Sequence, residues 1–244
     1  MLLRPVDGAA PLDHTAPPLL RVGRRFLREF GIDRTAVEEY AVGLIPARDA
    51  PLLEVERAAE ERRLPIVGPL EGQFLHALAR ATGARTVLEL GTCTGYSAVW
   101  FGRAVAGRGG KVVTVEYEPE RAREARRNVE RCGLAGVVDV REGDALAVLT
   151  ELTEQFDLVF NDLLRSFPDE ARMRRLFELS LARVRPGGVL LADNALHGGE
   201  VVAPGDKAGP RAVALYNRLA AEHPELTTVL VPIRDGVALS YRHG

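Results

Sequence analysis

From residue 85 onward, short apolar runs alternate with longer stretches in which apolar residues recur every three or four positions. The runs predict strands at 86–90, 111–116, 136–141, 156–161, 187–192, 226–232 and 236–241. The periodic stretches predict helices over 95–106, 118–132, 144–151, 168–184 and 208–223. Five strands alternating with helices specify a doubly wound α/β fold with a parallel sheet. The last two strands are joined only by Ile233-Arg234-Asp235, a link that permits an antiparallel hairpin and nothing longer. Arg185-Pro186-Gly187-Gly188 reads as a turn between a helix and the next strand.

The first third of the chain is different. Residues 1–18 are rich in Pro, Gly and Ala and predict a mobile arm. Leu19, Val22, Phe26 and Phe30 recur at helical spacing, with Arg21, Arg24, Arg25 and Arg28 largely on another face. Asp33 is suited to cap a helix over 35–42, and Pro51 to start one reaching Arg63. Pro65-Ile-Val-Gly-Pro69 then breaks the chain before a helix over 70–82. The expected organisation is an arm and helical cap over 1–63 and a sheet domain over 64–244.

The stretch that organises the rest is Glu89-Leu-Gly91-Thr-Cys93-Thr-Gly95, a glycine turn between the first strand and its helix. A dinucleotide fingerprint needs Gly-x-Gly-x-x-Gly, but Cys93 holds the second position and no third glycine follows. Glu89 would repel a pyrophosphate, whereas a ligand with an amino group and a sulfonium suits it. The spacing therefore points to S-adenosylmethionine (SAM) rather than NAD. Glu116 ends the second strand, where an acid accepts hydrogen bonds from ribose hydroxyls. Asp144 and Ala145 follow the third strand, where an adenine edge would lie, although Asp144 equally suits a helix N-cap. Strands four and five end in Asp162 and in Asp193-Asn194. Two carboxylates and an amide oxygen form an all-oxygen set for a hard divalent cation, Mg²⁺ first, with Ca²⁺ or Mn²⁺ as alternatives.

Composition narrows the classes. A formal net charge of -2 gives no general attraction to nucleic acid or an anionic membrane. The two cysteines lack metal-type spacing, and no run approaches the roughly 20 apolar residues of a membrane span. Pro5, Asp7, Pro11 and Asp13 interrupt any signal-peptide core, so a cytoplasmic protein is expected. Lys111 and Lys207 are the only lysines in an arginine-rich chain.

Five markers in order resemble the cation-dependent O-methyltransferases of the catechol and caffeoyl-CoA type. They are Pro69-Leu-Glu-Gly72-Gln73, Glu89 to Ser97, Phe156 to Asp162, Gly187 to Asn194, and Pro232-Ile-Arg-Asp235-Gly236. The resemblance runs from about Leu64 to Tyr241. It implies a seven-stranded class I methyltransferase sheet of Rossmann-like type, SAM as methyl donor and a small hydroxylated acceptor such as a catechol or secondary metabolite. By position, Val67, Gly91 and Ser97 would hold the methionine portion, Glu116 the ribose, and Asp144 and Ala145 the adenine. Asp162, Asp193 and Asn194 would be the metal ligands. Many relatives are dimers, so a homodimer is expected.

The chain departs from that pattern near the chemistry. Relatives usually carry a lysine three residues after the first metal aspartate, and here Arg165 stands there. Arginine keeps its proton, so Arg165 is expected to stabilise charge rather than act as a base. His197 occupies a place where relatives often carry a substrate-facing aromatic, and its unperturbed pKa near 6.5 suits a base. Two other readings stay open: methylation of a hydroxylated tRNA base, supported by the basic helix at 21–28, and a SAM-binding scaffold without catalysis.

Overall fold

The computed structural model describes residues 34–244. The expected arm at 1–18, the basic helix at 19–30 and the Asp33 cap lie outside the described residues. In chain order the elements are α1 (Arg34–Gly43), α2 (Ala50–Arg62), α3 (Gly68–Ala81), β1 (Thr86–Leu90), α4 (Tyr96–Ala106), β2 (Lys111–Glu116), α5 (Pro119–Arg131) and β3 (Val138–Glu142). There follow α6 (Ala145–Glu151), β4 (Phe156–Asn161), α7 (Glu170–Arg183), β5 (Val184–Ala192), a 3₁₀ turn (His197–Val202), α8 (Ala208–Glu222), β6 (Leu226–Val231) and β7 (Val237–Arg242).

The chain forms two compact units, one up to Pro46 and one from Ala47 onward. In the first, the described residues are α1 and the turn after it. The second holds everything else, including α2, which the sequence pattern groups with a separate cap. Pro51 lies in the first turn of α2, and Asp49 caps it by accepting the Leu52 N–H at 3.2 Å. Leu52, Val55 and Ala59 are buried on its inner face. Tyr96 Oη donates to Glu56 Oε1 at 2.6 Å, and Arg62 pairs with Glu124 at 2.6 Å. These ties make α2 part of the sheet domain.

The sheet has seven strands in the order β3-β2-β1-β4-β5-β7-β6. The first five are parallel, and β7 runs antiparallel to both β5 and β6. Val87, Leu88 and Leu90 of β1 are fully buried, as a strand covered on both faces requires. After β1 the chain builds β2 and β3 on one side, then crosses back to lay β4 on the other. Such a reversal opens a crevice at the carboxyl ends of the strands, between β1 and β4.

The strand ends are fixed by more than the ladders. Asn161, the last residue of β4, is fully buried: its Nδ2 donates to Tyr216 Oη of α8 and its Oδ1 accepts from Ser180 Oγ of α7, both at 3.0 Å. A buried amide with both ends satisfied holds its backbone in one place. Asp162 is the next residue.

One sequence expectation is corrected. Arg185-Pro186-Gly187-Gly188 is not a turn before the strand; β5 begins at Val184, directly after α7. Phe156 pairs with Val184 and Leu158 with Val189, so the extra residues bulge out of β5. Gly187 takes φ +74°, and a Cβ on Gly188 would approach Asp157 O to 2.9 Å. Asp157 ties the bulge down, accepting from Arg185 Nε at 2.5 Å and from the Arg85 and Thr86 amides at 2.7 and 2.8 Å. Smaller shifts occur elsewhere: α3 spans 68–81 rather than 70–82, and β3 spans 138–142 rather than 136–141. No helix among the described residues is long and apolar enough to cross a membrane.

Candidate active site

Strand register sets out the site. The Gly91 N–H donates to Val115 O, Asp162 N–H to Leu90 O, Asp193 N–H to Asn161 O and Gly143 N–H to Glu116 O, all at 2.9 to 3.0 Å. The residues that follow β1, β2, β3, β4 and β5 therefore stand side by side along the carboxyl edge. They border one cavity of about 850 Å³, lined among others by Gly91, Glu116, Asp144, Ala145, Asp162, Arg165, Asp193 and Asn194.

The glycine turn forms the centre of its floor. Gly91 takes φ +97°, and a Cβ there would sit 2.6 Å from Asp162 O, so only glycine lets the two loops come so close. Gly95 (φ +83°) starts α4, and its Cβ position lies 3.3 Å from Ala125, so its bare backbone serves the packing of α5. Gly95, Val67, Glu89, Ser97 and His197 do not line the cavity.

Glu89 is fully buried under that turn. Its Oε2 accepts from Thr114 Oγ1 at 2.5 Å, while its Oε1 has no hydrogen-bond partner. Burial pushes its pKa up to about 7, against the opposing pull of the Ser97 and Thr114 hydroxyls. Glu116 is held more firmly. The Cys93 N–H donates to its Oε2 at 2.7 Å and the Glu118 N–H to its Oε1 at 2.9 Å. Each oxygen keeps a lone pair for a further donor from the cavity.

Asp144 takes the helix-capping role and lines the cavity. Its Oδ1 accepts the Ala147 N–H at 3.0 Å and so caps α6, while its Oδ2 lies 3.9 Å from Arg172 Nη2 at the cavity wall. The Arg172 guanidinium stacks 4.6 Å from the centre of the Phe167 ring.

At the other end, Asp162 and Asp193 face the cavity with Glu71 and Arg234 around them. Burial and mutual repulsion hold Asp162 well above the ordinary carboxylate range. Asp193 is raised chiefly by burial, against the stabilising Asn194 N–H, which donates to its Oδ1 at 2.6 Å. Asn194 takes φ +60°, and its Nδ2 donates to Asp193 Oδ2 at 3.1 Å. Glu71 is fully buried, and burial together with Asp193 pushes it up to about 9. Among the described residues, no three His, Cys, Asp or Glu side chains form a metal cage by themselves. The set at hand is instead two carboxylates and one amide. A buried acid raised by a second one beside it is relieved by a hard cation, and rotating the Asn194 amide would present its oxygen. The residues fit such an ion.

Arg165 and His197 are both engaged elsewhere. Arg165 donates Nη2 and Nε to Asp235 Oδ2 at 2.7 and 3.2 Å, and the Gly198 N–H donates to Asp235 Oδ1 at 2.6 Å. The His197 Nδ1 lies 3.4 Å from Glu200 Oε2.

The model of the O-methyltransferase family matches residues 50–243, nearly the whole described chain. The chain belongs to this family. It is 35% identical over 217 residues to a catechol O-methyltransferase of Niastella koreensis, covering 84% of this chain and 96% of the relative. With the catechol O-methyltransferase of Mycobacterium tuberculosis it shares 38% over 191 residues, covering 78% and 83%. Among solved structures, the O-methyltransferase from Bacillus cereus in complex with S-adenosylhomocysteine (SAH) superposes with a TM-score of 0.75 at 32% identity, covering 85% of this chain and 97% of that one. TomG from Streptomyces achromogenes, solved with SAM, gives 0.75 at 32% identity, covering 86% and 96%. This O-methyltransferase is SAM-dependent and has the class I Rossmann-like fold.

Some residues of this O-methyltransferase's cavity escaped the sequence reading. Glu71 carried a signal: it shares the buried stripe of α3 with Leu75 and Ala79, where an unpaired acid is out of place. Arg234 lies in one of the five markers but had no assigned role, and Phe167 and Arg172 carried no signal, because only the fold brings their loops together.

Proposed function

We propose that this enzyme transfers the methyl group of SAM to a phenolic hydroxyl of a small catechol-like acceptor with the help of a divalent cation. The observation that carries the reading is the shared cavity, with an anchored Glu116 at one end and the Asp162–Asp193 pair at the other. SAM supplies a methyl group already activated by its positively charged sulfur. Glu116 would accept from the ribose hydroxyls, and Asp144 and Ala145 would border the adenine. Gly91 would face the methionine end, with Glu89, Val67 and Ser97 supporting it from behind the cavity lining. Asp162, Asp193 and Asn194 would hold the cation, which lowers the pKa of a hydroxyl and fixes its orientation.

The acceptor oxygen takes the methyl carbon as the carbon–sulfur bond breaks, leaving SAH, a methyl ether and one proton. Arg165 is tied to Asp235 and keeps its proton, and His197 does not line the cavity, so neither is set to remove that proton. The acceptor must then ionise with little help. A phenol, with a pKa of about 10, needs far less assistance than an aliphatic alcohol near that of water, about 16. That difference favours catechols over sugars.

The test is methyl transfer from SAM with Mg²⁺ to a panel of catechols and aliphatic vicinal diols, with and without chelator. Methylated catechols, untouched diols and silence after chelation are expected. Undiminished turnover in chelator, or no phenolic product, would overturn the reading. Sedimentation of the full chain would check the homodimer that belongs to the same proposal.

A further inference from the structure

Arg234 stands at the tip of the hairpin between β6 and β7 with φ +47°. A residue with a side chain keeps that conformation only where its surroundings enforce it. Here the Gly236 N–H closes the turn on Ile233 O at 2.7 Å, and the guanidinium is anchored as well. Its Nη1 donates to Ile66 O at 3.1 Å and lies 3.5 Å from Glu71 Oε2, which seats it in the cavity wall beside the acids. Arg165, the neighbouring cation, is spent on Asp235. Arg234 instead pairs with the buried Glu71 and lines the same cavity as Asp162 and Asp193.

We propose that Arg234 is a built-in counter-cation of the Asp162–Asp193 pair: a fixed positive charge that holds the two acids together before a divalent ion arrives, and that the ion must bind against. The inference rests on the cation reading given above. A cation set in the same cavity wall as the two carboxylates serves two opposed ends. It steadies the metal-free protein by offsetting repulsion, and it repels an incoming ion of charge two. Metal affinity in this enzyme is therefore tuned downward by a residue that need not touch the metal.

The experiment measures Mn²⁺ binding to the full chain by calorimetry, and melting with and without Mn²⁺, for wild type, R234Q, R234G and R234K. Glycine accepts φ +47° without strain, so R234G guards against a folding failure in R234Q. Both neutral variants are expected to bind Mn²⁺ roughly tenfold or more tightly than wild type. They should also melt lower without metal and gain more on its addition, while R234K stays near wild type. Equal Mn²⁺ affinity in wild type and both neutral variants would overturn the inference alone, as would equal tightening in R234K. Failure of every variant to bind Mn²⁺, with SAH binding intact, would bring down the cation reading along with it.

Discussion

Arg165 reaches across from the loop after β4 to Asp235 in the β6–β7 hairpin, donating Nη2 at 2.7 Å and Nε at 3.2 Å to the same carboxylate oxygen. Asp235 also receives the Gly198 N–H, so one carboxylate joins three loops at the mouth of the cavity. A base would need a free lone pair, and this residue offers none. Its chemical task is to hold the mouth in shape.

Arg165→Ala should therefore raise KM for the acceptor, with kcat/KM falling about tenfold if a charge-assisted hydrogen bond worth about 1.5 kcal/mol is lost. SAH affinity should stay within about twofold, and the pH profile should keep its form. His197→Ala should leave turnover unchanged across roughly pH 5 to 8, the span in which an imidazole changes charge. Steady-state kinetics and calorimetry check both; a pH limb lost in the histidine variant would restore it as a base.

Asp162→Asn should cut activity by about a hundredfold or more, as expected when a ligand of a catalytic ion is lost. The same change removes a buried acid whose pKa is raised by burial and by the neighbouring Asp193. The metal-free variant should melt at or above the wild-type temperature near pH 8, and added Mg²⁺ should no longer raise it. Differential scanning calorimetry with and without Mg²⁺ reads both effects.

Glu116→Ala should weaken SAH binding by roughly ten- to a hundredfold, the range for lost hydrogen bonds to a charged group. It also leaves the Cys93 and Glu118 amides without their acceptor, loosening the glycine turn. Glu116→Gln, which keeps one acceptor oxygen, should lie between the two in an SAH titration.

Asp157 supplies a pH signature of stability. Burial would raise its pKa, but Arg185 and the backbone amides of Arg85 and Thr86 outweigh it and hold the group down to about 2. A lowered folded-state pKa adds stability that is present above the unfolded value of 3.8 and is lost as pH falls toward 2. Asp157→Asn should thus melt lower than wild type at neutral pH, with the gap closing between about pH 4 and pH 2. Paired thermal melts across that range check it.

Local pattern made much of this molecule legible. Short, largely apolar runs such as Thr86–Leu90 suit strands covered on both faces, and the short Ile233–Asp235 link suits a hairpin. Proline and aspartate in the right order begin α2, and glycines between β1 and α4 announce a close approach. These are contacts between near neighbours, and their physics is written into the order of the residues. The Arg185–Gly188 stretch misled for the same reason: its residues favour a turn locally, and only pairing with β4 makes them a bulge.

What the tertiary structure decided is which charges meet. Strand order already sets Asp162 beside Asp193, but nothing in the sequence spacing says that Glu71 and Arg234 will join them. Likewise Arg165 and His197 look like free chemical groups until Asp235 and Glu200 are seen beside them. The sequence by itself determined the order of strands and helices and the acids at the strand ends. Long-range electrostatics, set by how the loops fold over the carboxyl edge, decided which of those side chains remain available.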